Sequence, residues 1–142
     1  MKRLLVLIIG LFLIGCEDTR EPECGDCGFD VYSTSLPQLD NGDYILEYNT
    51  NLAQTYTKLD VITECGWAQH IQWDTDYQYQ MGPDWVSLVN PGSMTDENGD
   101  ASVMFAAWEE FIGFTVTVYG GYIDPCGTQQ VDSLKIQIVD NE

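Results

Sequence analysis

The chain has 142 residues, with 23 acidic against 5 basic side chains, one histidine and a formal charge of −18 at pH 7. Binding to a phosphate backbone needs lysine and arginine contacts that release counterions, so this balance points away from nucleic acid, and anionic lipid headgroups would repel the chain as well. The length suits one domain, long enough to bury a core without help from a metal, and the charge itself serves solubility.

Taken in order, Met1-Lys2-Arg3 is a short basic start and Leu4 to Ile14 is an uncharged apolar run. That run falls far short of the ~20 residues a membrane-spanning helix needs. A basic start, a short apolar run and a small residue before a cut describe an export signal. The run closes as Leu13-Ile14-Gly15-Cys16, which resembles the lipobox of bacterial lipoproteins. The resemblance implies removal of residues 1–15 and lipidation of Cys16 as the new N-terminus. The plain alternative is an ordinary thiol at the end of a secretory signal. One acyl chain binds membranes only reversibly, whereas two or more hold firmly, at about 0.8 kcal/mol per buried methylene. The expected location is therefore extracytoplasmic, with a lipid anchor in the bacterial envelope at the outer membrane.

Glu17-Asp18-Thr19-Arg20-Glu21-Pro22-Glu23 follows at once. It has no apolar side chain to offset the entropy of ordering, and so reads as a flexible spacer. An acidic run at this point resembles the surface-export signal of some Gram-negative lipoproteins; a linker facing the periplasm is the alternative. The chain thus divides into a signal over 1–15, the lipidated cysteine and acidic spacer over 16–27, and a folded domain over 28–142.

With Cys16 acylated, Cys24, Cys27, Cys65 and Cys126 remain. An even count in an exported domain reads as two disulfides, with three connectivities open. Cys24-Gly25-Asp26-Cys27 also has the spacing of a zinc or redox site. Four thiolates could complete a zinc site, whereas a redox motif would accompany a βαβ pattern, which the sequence lacks.

From 28 to 142 no window sustains a helical apolar period, and alternation with period two is common. Tyr44 to Tyr48 reads as a strand entered through the turn Asp40-Asn41-Gly42-Asp43. Thr57, Leu59 and Val61 line one face of a strand over 55–63, and Gln69, Ile71 and Trp73 one face of a strand over 67–74. Trp85 to Val89 is short and ends at Asn90-Pro91-Gly92. Ala101, Val103 and Phe105, then Phe114, Val116 and Val118, then Leu134, Ile136 and Ile138 should face inward on three more strands. About seven strands separated by turn residues predict an all-β antiparallel sandwich or barrel.

Thr95-Asp96-Glu97-Asn98-Gly99-Asp100-Ala101, followed by Gly113-Phe114-Thr115-Val116-Thr117-Val118, resembles bacterial immunoglobulin-like domains of the invasin and intimin type. Those domains have a T-D-x-x-G-x-A turn and a later Gly-aromatic-T-V-T-V strand. The likeness covers about residues 95–118. It implies a seven-stranded immunoglobulin-like sandwich acting in adhesion or as a spacer, and not an enzyme. In such a sandwich Cys24, Cys27, Cys65 and Cys126 would share one pole. The implied pairing joins Cys24 and Cys27 to Cys65 and Cys126, in either order; Cys24–Cys27 with Cys65–Cys126 is the alternative.

Candidate chemistry is sparse. No nucleophile elbow, phosphate loop or metalloprotease helix is present. His70 stands alone as a base, and Glu109-Glu110 is the kind of pair that a very acidic chain produces without glycosidase function. No catalytic residue and no cofactor are expected. Beside the zinc alternative at the cysteines, calcium is a second metal alternative, because it takes carboxylate and carbonyl oxygens, and Asp96, Asn98 and Asp100 are its best candidates, though turn chemistry also explains them. Tyr77, Tyr79 and Trp108 lie near loops or on outward alternation, where aromatic rings anchor protein or sugar ligands. The expectation is a non-enzymatic binding or structural module of the envelope, with a carbohydrate-binding lipoprotein as the alternative and a membrane-held anchor in both.

Overall fold

The computed structural model describes residues 24–141 apart from 26, 66–68, 78–86, 90 and 91. Nine strands are present among these residues: β1 (Asp30–Tyr32), β2 (Tyr44–Tyr48), β3 (Thr55–Ile62), β4 (His70–Thr75), β5 (Ser87–Val89), β6 (Gly92–Met94), β7 (Asp100–Ala107), β8 (Thr115–Ile123) and β9 (Gln129–Asp140). A single 3-10 turn, Glu109–Phe111, interrupts the strands between β7 and β8. No helix among the described residues is long and apolar enough to cross a membrane.

The strands form two sheets, ordered β1-β3-β7-β5 and β2-β9-β8-β4-β6. Because side chains alternate across a strand, each sheet turns one apolar face toward the other. Leu59, Val61 and Phe105 from the first sheet meet Ile71, Val116, Val118, Ile136 and Ile138 from the second, all completely buried. Each such side chain contributes roughly 1.5–3 kcal/mol of burial. The order β1-β3-β7-β5 corresponds to strands A, B, E and D of an immunoglobulin-type sandwich, and β9, β8 and β4 to G, F and C. Trp73 on β4 is buried where that fold places its core tryptophan, with its indole N–H donating to Ser93 Oγ at 3.2 Å.

Three sequence expectations need correction. The strands number nine, not seven, among the described residues, because β1 and β6 are three residues long and too short to show alternation. The sandwich is not wholly antiparallel, since β2 runs parallel to β9 from Tyr44↔Ile136 to Tyr48↔Asp140. The chain crosses from the first sheet to the second between β1 and β2, and that crossing sets the parallel edge. Phe114 does not face inward. β8 begins one residue later, and Gly113 at φ +90° turns Phe114 out to 47 % exposure.

Gly120 lets the two sheets close. A Cβ there would stand 2.9 Å from Val31 Cγ2 and 3.3 Å from Val61 Cγ1, tighter than packed side chains tolerate, with the Trp73 ring behind them. At the other end, the buried Tyr48 hydroxyl donates to the carbonyls of Leu52 and Ala53 at 3.0 and 3.1 Å, tying the β2–β3 turn to the core. Tyr48→Phe keeps the ring but removes this donor, leaving carbonyls short of a partner. Urea denaturation should register a loss of about 1–3 kcal/mol, and an unchanged midpoint would show that the turn holds without the hydroxyl.

Candidate functional site

One pole of the sandwich gathers the ends of β3 and β8 with the start of β1, and both disulfides lie there. Cys24 is bonded to Cys126 and Cys27 to Cys65, with Cα–Cα separations of 5.6 and 5.3 Å. The two cysteines of the C-x-x-C run therefore go to different partners, and the sulfurs are not thiolates available to zinc. The Tyr122 hydroxyl lies 3.1 Å from Cys27 Sγ and 3.4 Å from Cys65 Sγ, and its ring meets Phe29 edge to face at 5.2 Å. The Glu64 N–H donates to the Cys27 carbonyl at 3.0 Å, which extends pairing beyond β1 toward the N-terminus.

Asp124 completes this pole. It is 4 % exposed. Its Oδ1 accepts N–H groups of Thr128 and Cys126 at 2.8 and 3.0 Å, and its Oδ2 accepts that of Gly25 at 2.9 Å. One carboxylate thus folds the β8–β9 turn and holds the incoming N-terminal segment. These donors favour the charged form, that of Thr128 most, and keep the Asp124 carboxyl below the usual range. A second cross-link of the same kind joins the sheets, with the Val31 N–H donating to Asp132 Oδ2 at 2.8 Å. Both acids were missed in the sequence, although Asp124-Pro125-Cys126-Gly127 carries the Asp, Pro and Gly of a type I turn.

The calcium candidates form a tight turn. Asp96 Oδ1 accepts the N–H groups of Asn98 and Asp100 at 2.8 and 3.0 Å, and these donors, Asp100 first, lower its pKa. Gly99 closes that turn at φ +85°, donating to the Asp96 carbonyl and pressed so closely on the Thr63 carbonyl that no Cβ would fit. Among the described residues no three His, Cys, Asp or Glu side chains converge as metal ligands. His70 is exposed on β4, and Glu109 and Glu110 are exposed in the 3-10 turn.

The aromatic candidates lie toward the opposite pole. Tyr77 is half-buried and packs edge to face on Phe111 at 5.3 Å and on Phe114 at 6.1 Å; Phe111 and Phe114 are 5.5 Å apart. Trp108 is half-buried and its carbonyl accepts the Phe111 N–H at 3.0 Å, so it precedes and caps the 3-10 turn. Tyr79 and the lipidation candidate Cys16 lie outside the described residues. Phe111 and Phe114 belong to this cluster, although neither stood out as a contact residue in the sequence. A shallow groove of about 490 Å³ also opens between β2 and β3, lined by Glu47, Tyr56 and Lys58 among others. Lys58 is ion-paired to Asp60 at 2.7 Å there.

No family model matches the sequence, and no curated protein matches it. Solved structures do resemble the fold. The Pseudomonas aeruginosa CupB2 chaperone is 13 % identical with a TM-score of 0.52, over 69 % of this chain and 53 % of that one. The E. coli chaperone DraB is also 13 % identical, with a TM-score of 0.54 over 82 % and 57 %. The PapD-like domain 7 of human CEP192 is 6 % identical, with a TM-score of 0.50 over 87 % and 93 %. The chain thus spans little more than half the length of the chaperones it matches. What these likenesses share is an immunoglobulin-like, PapD-type β-sandwich.

Two measurements test the disulfide pole. The folded pKa of Asp124 lies below the free-chain value near 3.9. Its contribution is therefore full above that pH and lost as pH falls through the lowered value. Asp124→Asn should lower Tm at neutral pH and flatten the fall of Tm below about pH 4, the free-chain value; an unchanged acid limb would remove this role. Replacing Cys24 and Cys126 together by Ser should cost about 4.7 kcal/mol in chemical denaturation, the chain-entropy value for closing a loop of about 100 residues.

Proposed function

We propose that the chain is a lipid-anchored, non-enzymatic binding module of the bacterial envelope, cut before Cys16 and acylated there. The observation that carries this reading is the clamp at one pole. Both disulfides and Asp124 fix the first described residues, Cys24 to Cys27, against the sandwich. A tether entering at that pole would present the other pole away from the membrane. The non-enzymatic side of the reading is supported by the fold, since the solved neighbours include the chaperones CupB2 and DraB. The two disulfides match an oxidising compartment outside the cytoplasm. Acylation of Cys16, and a place on the outer membrane facing either the surface or the periplasm, belong to the proposal.

A second reading, glycan binding, draws on one feature. Tyr56 is exposed in the groove between β2 and β3, beside the exposed carboxylate of Glu47. That combination offers a ring face and a hydrogen-bond acceptor to a sugar. It moves the sugar contact away from Tyr77, whose ring is engaged by Phe111 and Phe114.

Metabolic labelling with an alkyne fatty acid decides the anchor. The wild-type chain should take up label and sediment with membranes. Cys16→Ser should lose the label and leave the membrane fraction. An unlabelled wild-type chain that keeps residues 1–15 would overturn the proposal.

A further inference from the structure

The pole opposite the disulfides carries an exposed apolar patch inside an acidic rim. Tyr48 pairs with Asp140, Thr55 with Ala107 and Thr115 with Gln137, so the ends of β2, β7 and β9 and the starts of β3 and β8 meet there. Phe114 is 47 % exposed, and Leu52, in the β2–β3 turn of the same pole, is 52 % exposed. Phe114 is not a loose side chain. Its ring leans on Tyr77 and on Phe111, which is buried, and its carbonyl accepts the Ile138 N–H at 2.9 Å. A ring held in this way can bind with little further loss of freedom, the property of an interface anchor.

Glu109 and Glu110 stand exposed in the 3-10 turn just before Phe111, and Glu47 and Asp140 are exposed at the ends of β2 and β9. Burial raises the Tyr48 pKa, and the nearby charges of Glu109 and Glu110 raise it further. The described lysines do not offset it. Lys58 is paired to Asp60, and Lys135 stands opposite Thr117 within the β8–β9 ladder.

We propose that this pole docks a basic, amphipathic segment of another protein, with Phe114 and Leu52 as its apolar anchors and Glu109 and Glu110 as its charge partners. This rests on the reading of the chain as a tethered binding module and names the partner class for it. Charge complementarity selects the occupant. An acidic rim attracts lysine- and arginine-rich segments and speeds their encounter, while it repels nucleic acid and anionic membrane. The direction of the tether agrees, because the chain enters the sandwich through Cys24, bonded to Cys126 at the far pole. An apolar patch within a polar rim is also the usual anatomy of a protein contact.

The test is titration of the ¹⁵N-labelled mature chain with a synthetic lysine–leucine–tryptophan amphipathic peptide. Controls are an all-lysine peptide of equal charge and the same amphipath with glutamate in place of lysine. Shift changes should centre on Leu52, Trp108, Glu109, Glu110 and Phe114. Phe114→Ser should weaken binding about tenfold, and Leu52→Ser, on an exposed turn, repeats the test independently of how Phe114→Ser folds. Glu109→Gln with Glu110→Gln should weaken binding about tenfold at ~0.01 M salt and little at ~1 M, where screening shortens from about 30 Å to about 3 Å. Equal binding of the all-lysine peptide, shift changes at the disulfide pole, or full affinity in both serine variants would overturn this surface. A labelled Cys16 with no peptide binding leaves the anchored module standing and overturns the docking proposal alone. Peptide binding without acylation does the reverse.

Discussion

The hold on the N-terminal segment is the constraint from which the arrangement follows. β1 is only three residues long, and alone it would contribute too few ladder bonds and too little apolar area to offset the order it requires. It stays because disulfides and a carboxylate hydrogen bond converge on its entrance. Cys27 reaches Cys65 beneath Tyr122, Cys24 reaches Cys126, and the Asp124 carboxylate takes the Gly25 N–H. With the entrance fixed, Val31 lies against Val61 in the first sheet while its N–H reaches Asp132 of the second. The first strand thereby spans both sheets before the chain crosses to β2.

That crossing shapes one edge of the sandwich. β1 covers β3 only from Asp60 to Ile62, so the start of β3 has no strand beside it there among the described residues. Ser33 and Ser35 partly fill the gap, donating their hydroxyls to the Lys58 carbonyl. Lys58 itself, held by Asp60, puts a charge on the open edge, which discourages strand-to-strand association. The groove beside Tyr56 is what remains of this gap. The fold therefore has, among others, two exposed surfaces of different kinds: a cleft of mixed polarity at an edge, and an aromatic end face.

Much of the sandwich was legible in the sequence, for a physical reason. Strands β2, β3, β7 and β9 each bury one face, so Thr57-Leu59-Val61 and Leu134-Ile136-Ile138 show the alternation directly, and the buried set matches it. Shorter pieces carry no such signal. Asp30–Tyr32 and Gly92–Met94 are too brief for a period, and a parallel partner leaves no mark on the alternation of β2. Phe114 was misread because its neighbours alternate correctly, and only the positive φ of Gly113 shifts the strand start. Of the aromatic candidates, Tyr77 and Trp108 fall toward one pole and are half-buried. The Tyr77 ring is braced by Phe111, a contact that joins segments far apart in sequence and could not be read from it. The local half of the Asp124 role, the turn it folds, carries a sequence signature, whereas its bond to Gly25, ninety-nine positions away, carries none.

The bridges are nested, with Cys27–Cys65 lying inside the span from Cys24 to Cys126. A polypeptide that emerges amino-end first offers Cys24, Cys27 and Cys65 to one another long before Cys126 arrives. Any early partner taken by Cys24 must later be displaced by thiolate attack on that mixed bond. Correct maturation thus depends on the last thiol to appear, and a host compartment able to reshuffle sulfur pairs becomes a condition of yield.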